Sequence, residues 1–226
     1  MRPNPLRPAL AASIVLAFGL AEGLAAQESF VRVPAGSFLM GSPASEPNRG
    51  REEGPQHEVS LSAYSIGRYE VTQAEWVAVM GSNPSRFQGE NLPVEGVSWY
   101  EVLVYCNKRS AAEGLSPCYR IGGSADPADW GGVPTSANGT WNAAVCDFGA
   151  EGYRLPTEAE WERACRAGTG AATCFGDSLS SAQANFDGNN PYNSPTKGEA
   201  LKRTAPVGSY AANAWGLYDL HGNVWE

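Results

Sequence analysis

Glycine and proline set the first limit on this chain: 26 glycines and 16 prolines are spread along its 226 residues. Both serve turns, glycine by reaching positive φ and proline by fixing φ near −65°, and both weaken regular backbone. A chain so punctuated has room for few long helices and no broad sheet. Its loops must be held together by large side chains, and seven Trp and nine Tyr are present to do so. A chain of this size buries roughly 70% of its unfolded surface, so it needs neither a metal nor a disulfide merely to fold. One α+β, loop-rich domain is the expectation.

Three segments share a different design. Thr72-Gln73-Ala74-Glu75, Ser98-Trp99-Tyr100-Glu101 and Thr157-Glu158-Ala159-Glu160 are each a Ser/Thr-x-x-Glu box opening an apolar-periodic run, the signature of a capped helix start. In the second, Trp99, Val102, Leu103 and Cys106 fall on one face; in the third, Trp161, Ala164 and Cys165 do. Phe30 to Val33, Ser37 to Gly41 and His57 to Leu61 read as short strands. Ala111 to Glu151 lacks periodicity and reads as an elaborated loop or hairpin insert, and Ala167 to Tyr210 is again loop-like.

The formal charge is −8, the mean hydropathy −0.31 and the isoelectric point about 4.9. No window is basic, which excludes nucleic acid as partner, because phosphate neutralisation needs clustered Lys and Arg. At the N-terminus, Arg2 and Arg7 flank a start followed by an apolar run from Ala9 to Leu20 and small residues through Ala26. The run is shorter than the ~20 residues that span a bilayer, so residues 1–26 read as a signal peptide and 27–226 as an exported, periplasmic or secreted, domain without a membrane span.

Export bears on Cys106, Cys118, Cys146, Cys165 and Cys174. An oxidising compartment favours disulfides, yet five is odd, and spacing does not fix the pairing: Cys165 with Cys174 and Cys106 with Cys118 are both open. No Cys-x-x-Cys occurs, and His57 and His221 are the only histidines, which argues against zinc or a multi-His iron centre. Asn138-Gly139-Thr140 is a formal glycosylation sequon. The segment from Asn185 to Asn190 can be an Asx-turn loop; it is not an EF-hand, since Thr196 stands where the bidentate Glu is required.

Taken in order, Val33-Pro34-Ala35-Gly36-Ser37-Phe38, Tyr69-Glu70-Val71-Thr72, Pro93-Val94-Glu95-Gly96-Val97-Ser98-Trp99, Tyr153-Arg154-Leu155-Pro156-Thr157-Glu158-Ala159-Glu160-Trp161-Glu162 and Gly216-Leu217-Tyr218-Asp219-Leu220-His221-Gly222-Asn223-Val224-Trp225-Glu226 resemble the sulfatase-modifying-factor family, which includes the formylglycine-generating enzymes. The resemblance implies a loop-rich fold related to the C-type lectin fold, with few helices, small sheets and structural calcium. It implies oxidation of a cysteine in a sulfatase polypeptide to formylglycine, by a cysteine pair that in aerobic members holds copper(I), a soft ion suited to thiolates. That pair follows the terminal Gly-Asn-Val-Trp-Glu block in the family, so the expectation is a C-terminally truncated domain, inactive as this chain stands, with copper only in a full-length active form. Cys106 and Cys165 match positions that in some members pair with later cysteines.

The resemblance also implies two calcium sites. One takes Asn185, Phe186, Glu199 and Leu201; the other takes Gly222, Asn223, Val224 and Glu226. Mixed carboxylate and carbonyl oxygens suit that hard cation. The partner implied is a sulfatase-type polypeptide or another envelope protein. The competing reading is a calcium-stabilised, non-catalytic binding module, with Trp130 and Trp141 of the insert as exposed contacts.

Overall fold

The computed structural model describes residues 29–226; the signal-peptide reading lies outside the described residues. Strands are short and paired two by two. β1 (Phe30–Val33) runs antiparallel to β4 (Tyr64–Gly67), Phe30 opposite Gly67 and Val33 opposite Tyr64. β2 (Gly36–Met40) pairs with β3 (His57–Leu61), and β5 (Tyr119–Arg120) with β6 (Val145–Cys146). The helices are α1 (Gln73–Met80), α2 (Trp99–Ala112), the one-turn α3 (Gly139–Asn142) and α4 (Glu158–Arg166), with a 3-10 turn at Pro127–Trp130. This is the α+β, loop-rich architecture expected from the glycine and proline content.

All three boxes cap helices, at α1, α2 and α4. In each, the hydroxyl of Thr72, Ser98 or Thr157 accepts the N–H three residues on, and the Glu at that position accepts the cap's own N–H. Two donors that a helix start leaves without partners are thus satisfied reciprocally. At the other end α1 stops at Gly81, whose φ of 80° turns its N–H back to Val77 O.

Two apolar clusters follow. The larger gathers Trp76, Leu103, Val104, Tyr105, Cys106 and the insert's Cys118, Tyr119, Ile121, Trp130 and Trp141. Trp76 stacks on Tyr105 at 4.9 Å. The smaller joins Val33, Ala164 and Leu217. The insert is a hairpin-like excursion, as one of the two sequence readings had it. Its tryptophans are not exposed contacts: Trp130 and Trp141 are 7% and 3% exposed and meet edge to face at 5.7 Å, with Trp130 Nε1 donating to Ser124 O at 3.0 Å. Together with Tyr119 and Ile121 the two indoles seal the insert onto α2, so they turn inward. Trp99 departs the other way. It opens α2 beyond the reach of the core and is 47% exposed, while Leu103, Cys106, Asn107 and Ser110 carry the buried stripe.

Charged side chains tie α4 to the N-terminal strands. Arg154 makes a two-pronged contact with Glu160, both bonds 2.7 Å, and Glu160 also accepts the Thr157 N–H. Arg163 donates to Pro34 O at 2.9 Å and to Gly36 O. A Cβ at Gly36 would lie 2.8 Å from that guanidinium, so only glycine lets the strand approach.

Candidate functional site

The terminal block folds back on the loop that follows α4, and Asn223 is the hub. Its side-chain oxygen accepts from Asn185 Nδ2 and from Ala205 N, each at 2.9 Å. Its Nδ2 donates to Glu70 Oε2 at 2.8 Å and Ala205 O at 3.1 Å, and its backbone N–H donates to Asn185 O at 2.8 Å. Asn223 holds φ of 63°, which asparagine tolerates. Beside it Gly222 has φ of 104°, and a Cβ there would sit 2.5 Å from Asn185 O. Two candidate ligand sets far apart in sequence therefore meet at Asn185 and Asn223. The side chain of Asn223 is spent on protein partners, which leaves it positioning its neighbours.

The remaining candidates divide. Phe186 packs its Cβ near Gly222. Glu199 is exposed, with its carbonyl against Gly188, and Leu201 is half-buried. Asp187 within the same loop accepts from Asn189 and Asn190, so an Asx turn organises that stretch. Val224 is half-buried, and Glu226 accepts from Trp161 Nε1 at 2.5 Å.

Two acids that the sequence reading left out of the candidate ligand set complete the region. Glu70, 9% exposed, has one carboxylate oxygen buried without a partner. Burial pushes its pKa up to about 8, the Asn223 hydrogen bond opposes that, and Asp219 and Glu226 add to the rise. Burial raises Asp219 as well, against a hydrogen bond from Gly208 N at 2.6 Å. Glu226 is exposed as a residue, yet withdrawal of its carboxylate pushes it up to about 7, Trp161 opposing and Asp219 adding. An acid set between apolar neighbours, as in Tyr218-Asp219-Leu220, was the signal available in the sequence. Among the described residues no three His, Cys, Asp or Glu side chains are grouped to hold a metal ion. A cation here would therefore need backbone carbonyls beside its carboxylates, which is calcium's habit. The orphaned Glu70 oxygen and the mutually repelling acids fit such an ion.

The cysteines form no disulfide among the described residues, which leaves the pairing open. Burial first, then Cys118 and Cys146 nearby, pushes Cys106 up to about 12. Burial also raises Cys118 and Cys146, and Cys118 donates its S–H to Gly152 O at 3.1 Å. Cys165 reaches about 12 and Cys174 about 11, again by burial. His221 Nε2 accepts the Cys174 N–H at 3.2 Å and lies 3.6 Å from Cys165 Sγ; burial holds its pKa down, so the ring is neutral.

Residues 18–226 match the family described as sulfatase-modifying factor enzyme 1-like domain. The chain is 41% identical over 177 residues to the protein named chaperone protein LppX of Paenibacillus barcinonensis, covering 74% of this chain and 62% of that protein. It is 33% identical over 222 residues to the formylglycine-generating enzyme of Mycobacterium tuberculosis, covering 87% of this chain and 72% of the enzyme. Among solved structures, Treponema denticola variable protein 1 superposes with a TM-score of 0.70 at 34% identity, over 86% of this chain and 70% of that one.

Proposed function

The chain belongs to the sulfatase-modifying factor enzyme 1-like family, and on that premise we propose that it is an exported, formylglycine-generating-enzyme-like polypeptide whose own five cysteines do not carry thiol oxidation. The family reaction converts a cysteine of a sulfatase-type polypeptide to formylglycine. One observation supports assigning it elsewhere than to these residues: burial raises all five thiols, so in the metal-free chain none is poised as a reactive thiolate. The chain spans 62% of the Paenibacillus relative. A bound divalent cation would supply charge neutralisation, with Asp219 and Glu226 as carboxylate ligands, carbonyls of Gly222 and Val224 beside them, and Asn223 and Glu70 holding the block in place.

A Cys-x-Pro-x-Arg peptide incubated with this chain, copper and oxygen, followed by mass spectrometry, tests the first half of the reading. No aldehyde product is expected; conversion that survives replacement of unrelated surface residues but not of Cys165 or Cys174 would overturn it. For the second half, calcium titrated into the chelator-treated protein should raise Tm, and a Tm indifferent to calcium would remove the cation from the account. A second reading, a non-catalytic binding module, draws support from the 41% identity to a protein named as a chaperone. In that case the partner is another envelope polypeptide.

A further inference from the structure

Away from the Glu70 and Asn223 region, an open cleft of about 230 Å3 lies between the start of α2 and the insert. Tyr100 and Glu101 form one wall, with the Ser98 cap at its foot; Val133, Pro134, Thr135 and Ser136 form the other. The first wall is rigid. The Tyr100 hydroxyl donates to Asn142 Oδ1 at 2.5 Å and accepts the Asn138 N–H at 2.9 Å, and its ring stands edge-on to Trp141 at 5.4 Å. Trp99, between Ser98 and Tyr100 in sequence, is exposed and lies 5.6 Å from the Tyr100 ring.

Hydrogen-bonding capacity within the cleft is unevenly spent. Ser98 is used up by the capping box, whose bonds run to one oxygen of Glu101 only, at 2.6 and 2.8 Å. Among the described residues the other Glu101 oxygen has no hydrogen-bond partner, and neither have the hydroxyls of Thr135 and Ser136. A carboxylate on one wall is therefore set against two neutral hydroxyls and the apolar Val133 and Pro134 on the other. Among the described residues no cation lines the cleft, which disfavours phosphates and carboxylates as occupants. The volume lies below the ~300 Å3 at which drug-sized pockets begin, so the occupant is one small ring.

We propose that this cleft binds a single neutral pyranose. Ring hydroxyls would donate to the free Glu101 oxygen and exchange hydrogen bonds with Thr135 and Ser136, while the apolar face of the sugar lies on Val133 and Pro134. An alkylammonium would use Glu101 and the Tyr100 ring but would leave Thr135 and Ser136 without a role. The site is independent of the oxidase reading, since it involves neither a cysteine nor the acids around Asn223.

The experiment is titration of the full chain with the methyl glycosides of glucose, galactose, mannose and N-acetylglucosamine, and separately with tetramethylammonium, read by tryptophan fluorescence and ligand-observed NMR. At least one glycoside should bind saturably. Glu101→Gln keeps the helix cap, because Gln also serves at that position, and should weaken binding about tenfold. Thr135→Val, at an exposed residue with no protein hydrogen bond, should weaken it about threefold with unchanged circular dichroism, and it decides the matter if the first variant fails to fold. Absence of saturable binding by all four glycosides, binding unmoved by either substitution, or binding of tetramethylammonium alone would each overturn the assignment.

Discussion

Asn223 donates its side-chain N–H to Glu70, 153 residues earlier in the chain, at 2.8 Å. The bond joins the first strand pair's exit to the terminal block. It is also the main influence opposing protonation of a buried acid. Replacing Asn223 with Leu removes four side-chain hydrogen bonds at once, those to Glu70, to Asn185 Nδ2 and to both backbone groups of Ala205. A loss of roughly 3 kcal/mol or more in urea unfolding is expected, against a fraction of that if the hub were merely superficial.

The pH dependence follows from the same acids. Glu70 and Glu226 have folded pKa values near 8 and 7, above their unfolded values. The folded state therefore binds more protons than the unfolded one between about pH 4.5 and 8. Stability from these groups is full at the acid end of that window and declines as pH rises through it, on the order of a few kcal/mol. Calcium-free protein should lose Tm from pH 5 to 8. Calcium should flatten that slope, and an unchanged slope would detach the ion from these carboxylates.

Gly222 offers a sharper test of backbone fit. Gly222→Ala places a methyl group 2.5 Å from Asn185 O at φ of 104°. It should cost about 2 kcal/mol or more and abolish any calcium-dependent rise in Tm, whereas Gly81→Ala, where no atom lies within 4 Å, should cost only its left-handed backbone strain. Thermal melts of both with and without calcium separate the two effects.

Arg154 and Glu160 give a third stability prediction. Arg154→Met strips the two-pronged partner from an acid that is 10% exposed at its side chain and also caps α4. Loss of about 2 to 4 kcal/mol is expected, while the double replacement Arg154→Met with Glu160→Gln should recover part of it, since Gln still completes the box. No recovery in the double variant would mean that the pair is not coupled.

Thiol chemistry checks the state of the cysteines. Cys118 is fully buried, and Cys106 and Cys165 are 6% and 5% exposed. In folded, reduced protein, alkylation of these three should run at least about tenfold slower than of Cys146 and Cys174, and all five should react together in urea. Equal rates in the folded protein would contradict the burial pattern.

Local rules carried well in this chain. Ser/Thr-x-x-Glu boxes locate three helices because capping is settled within four residues, and glycine with proline announce the loop content. What eluded sequence reading depended on partners far away. Trp99 sits on the apolar face of its helix by period, but whether that face is covered at its first turn is decided by the insert. Trp130 and Trp141 look like surface contacts until the insert is seen to pack them, with Tyr119 and Ile121, into the core beside α2. Glu70 and Asp219 are ordinary acids in sequence, and only the return of the terminal block across Asn185 removes them from water. The motif block gives Asn223 a ligand's place, and in the metal-free chain its side chain is hydrogen-bonded to Asn185, Ala205 and Glu70.

The file of rings from Trp99 through Tyr100 and Trp141 to Trp130, each edge-on to the next at 5.4 to 5.7 Å, has an optical consequence. The two adjacent indoles, Trp141 and Trp130, exchange excitation, and their transitions couple into a circular dichroism signal that free tryptophan lacks. Docking of the insert thus carries its own colour in the ultraviolet, readable separately from the helices, and a change at the Trp99 end is registered at the buried end.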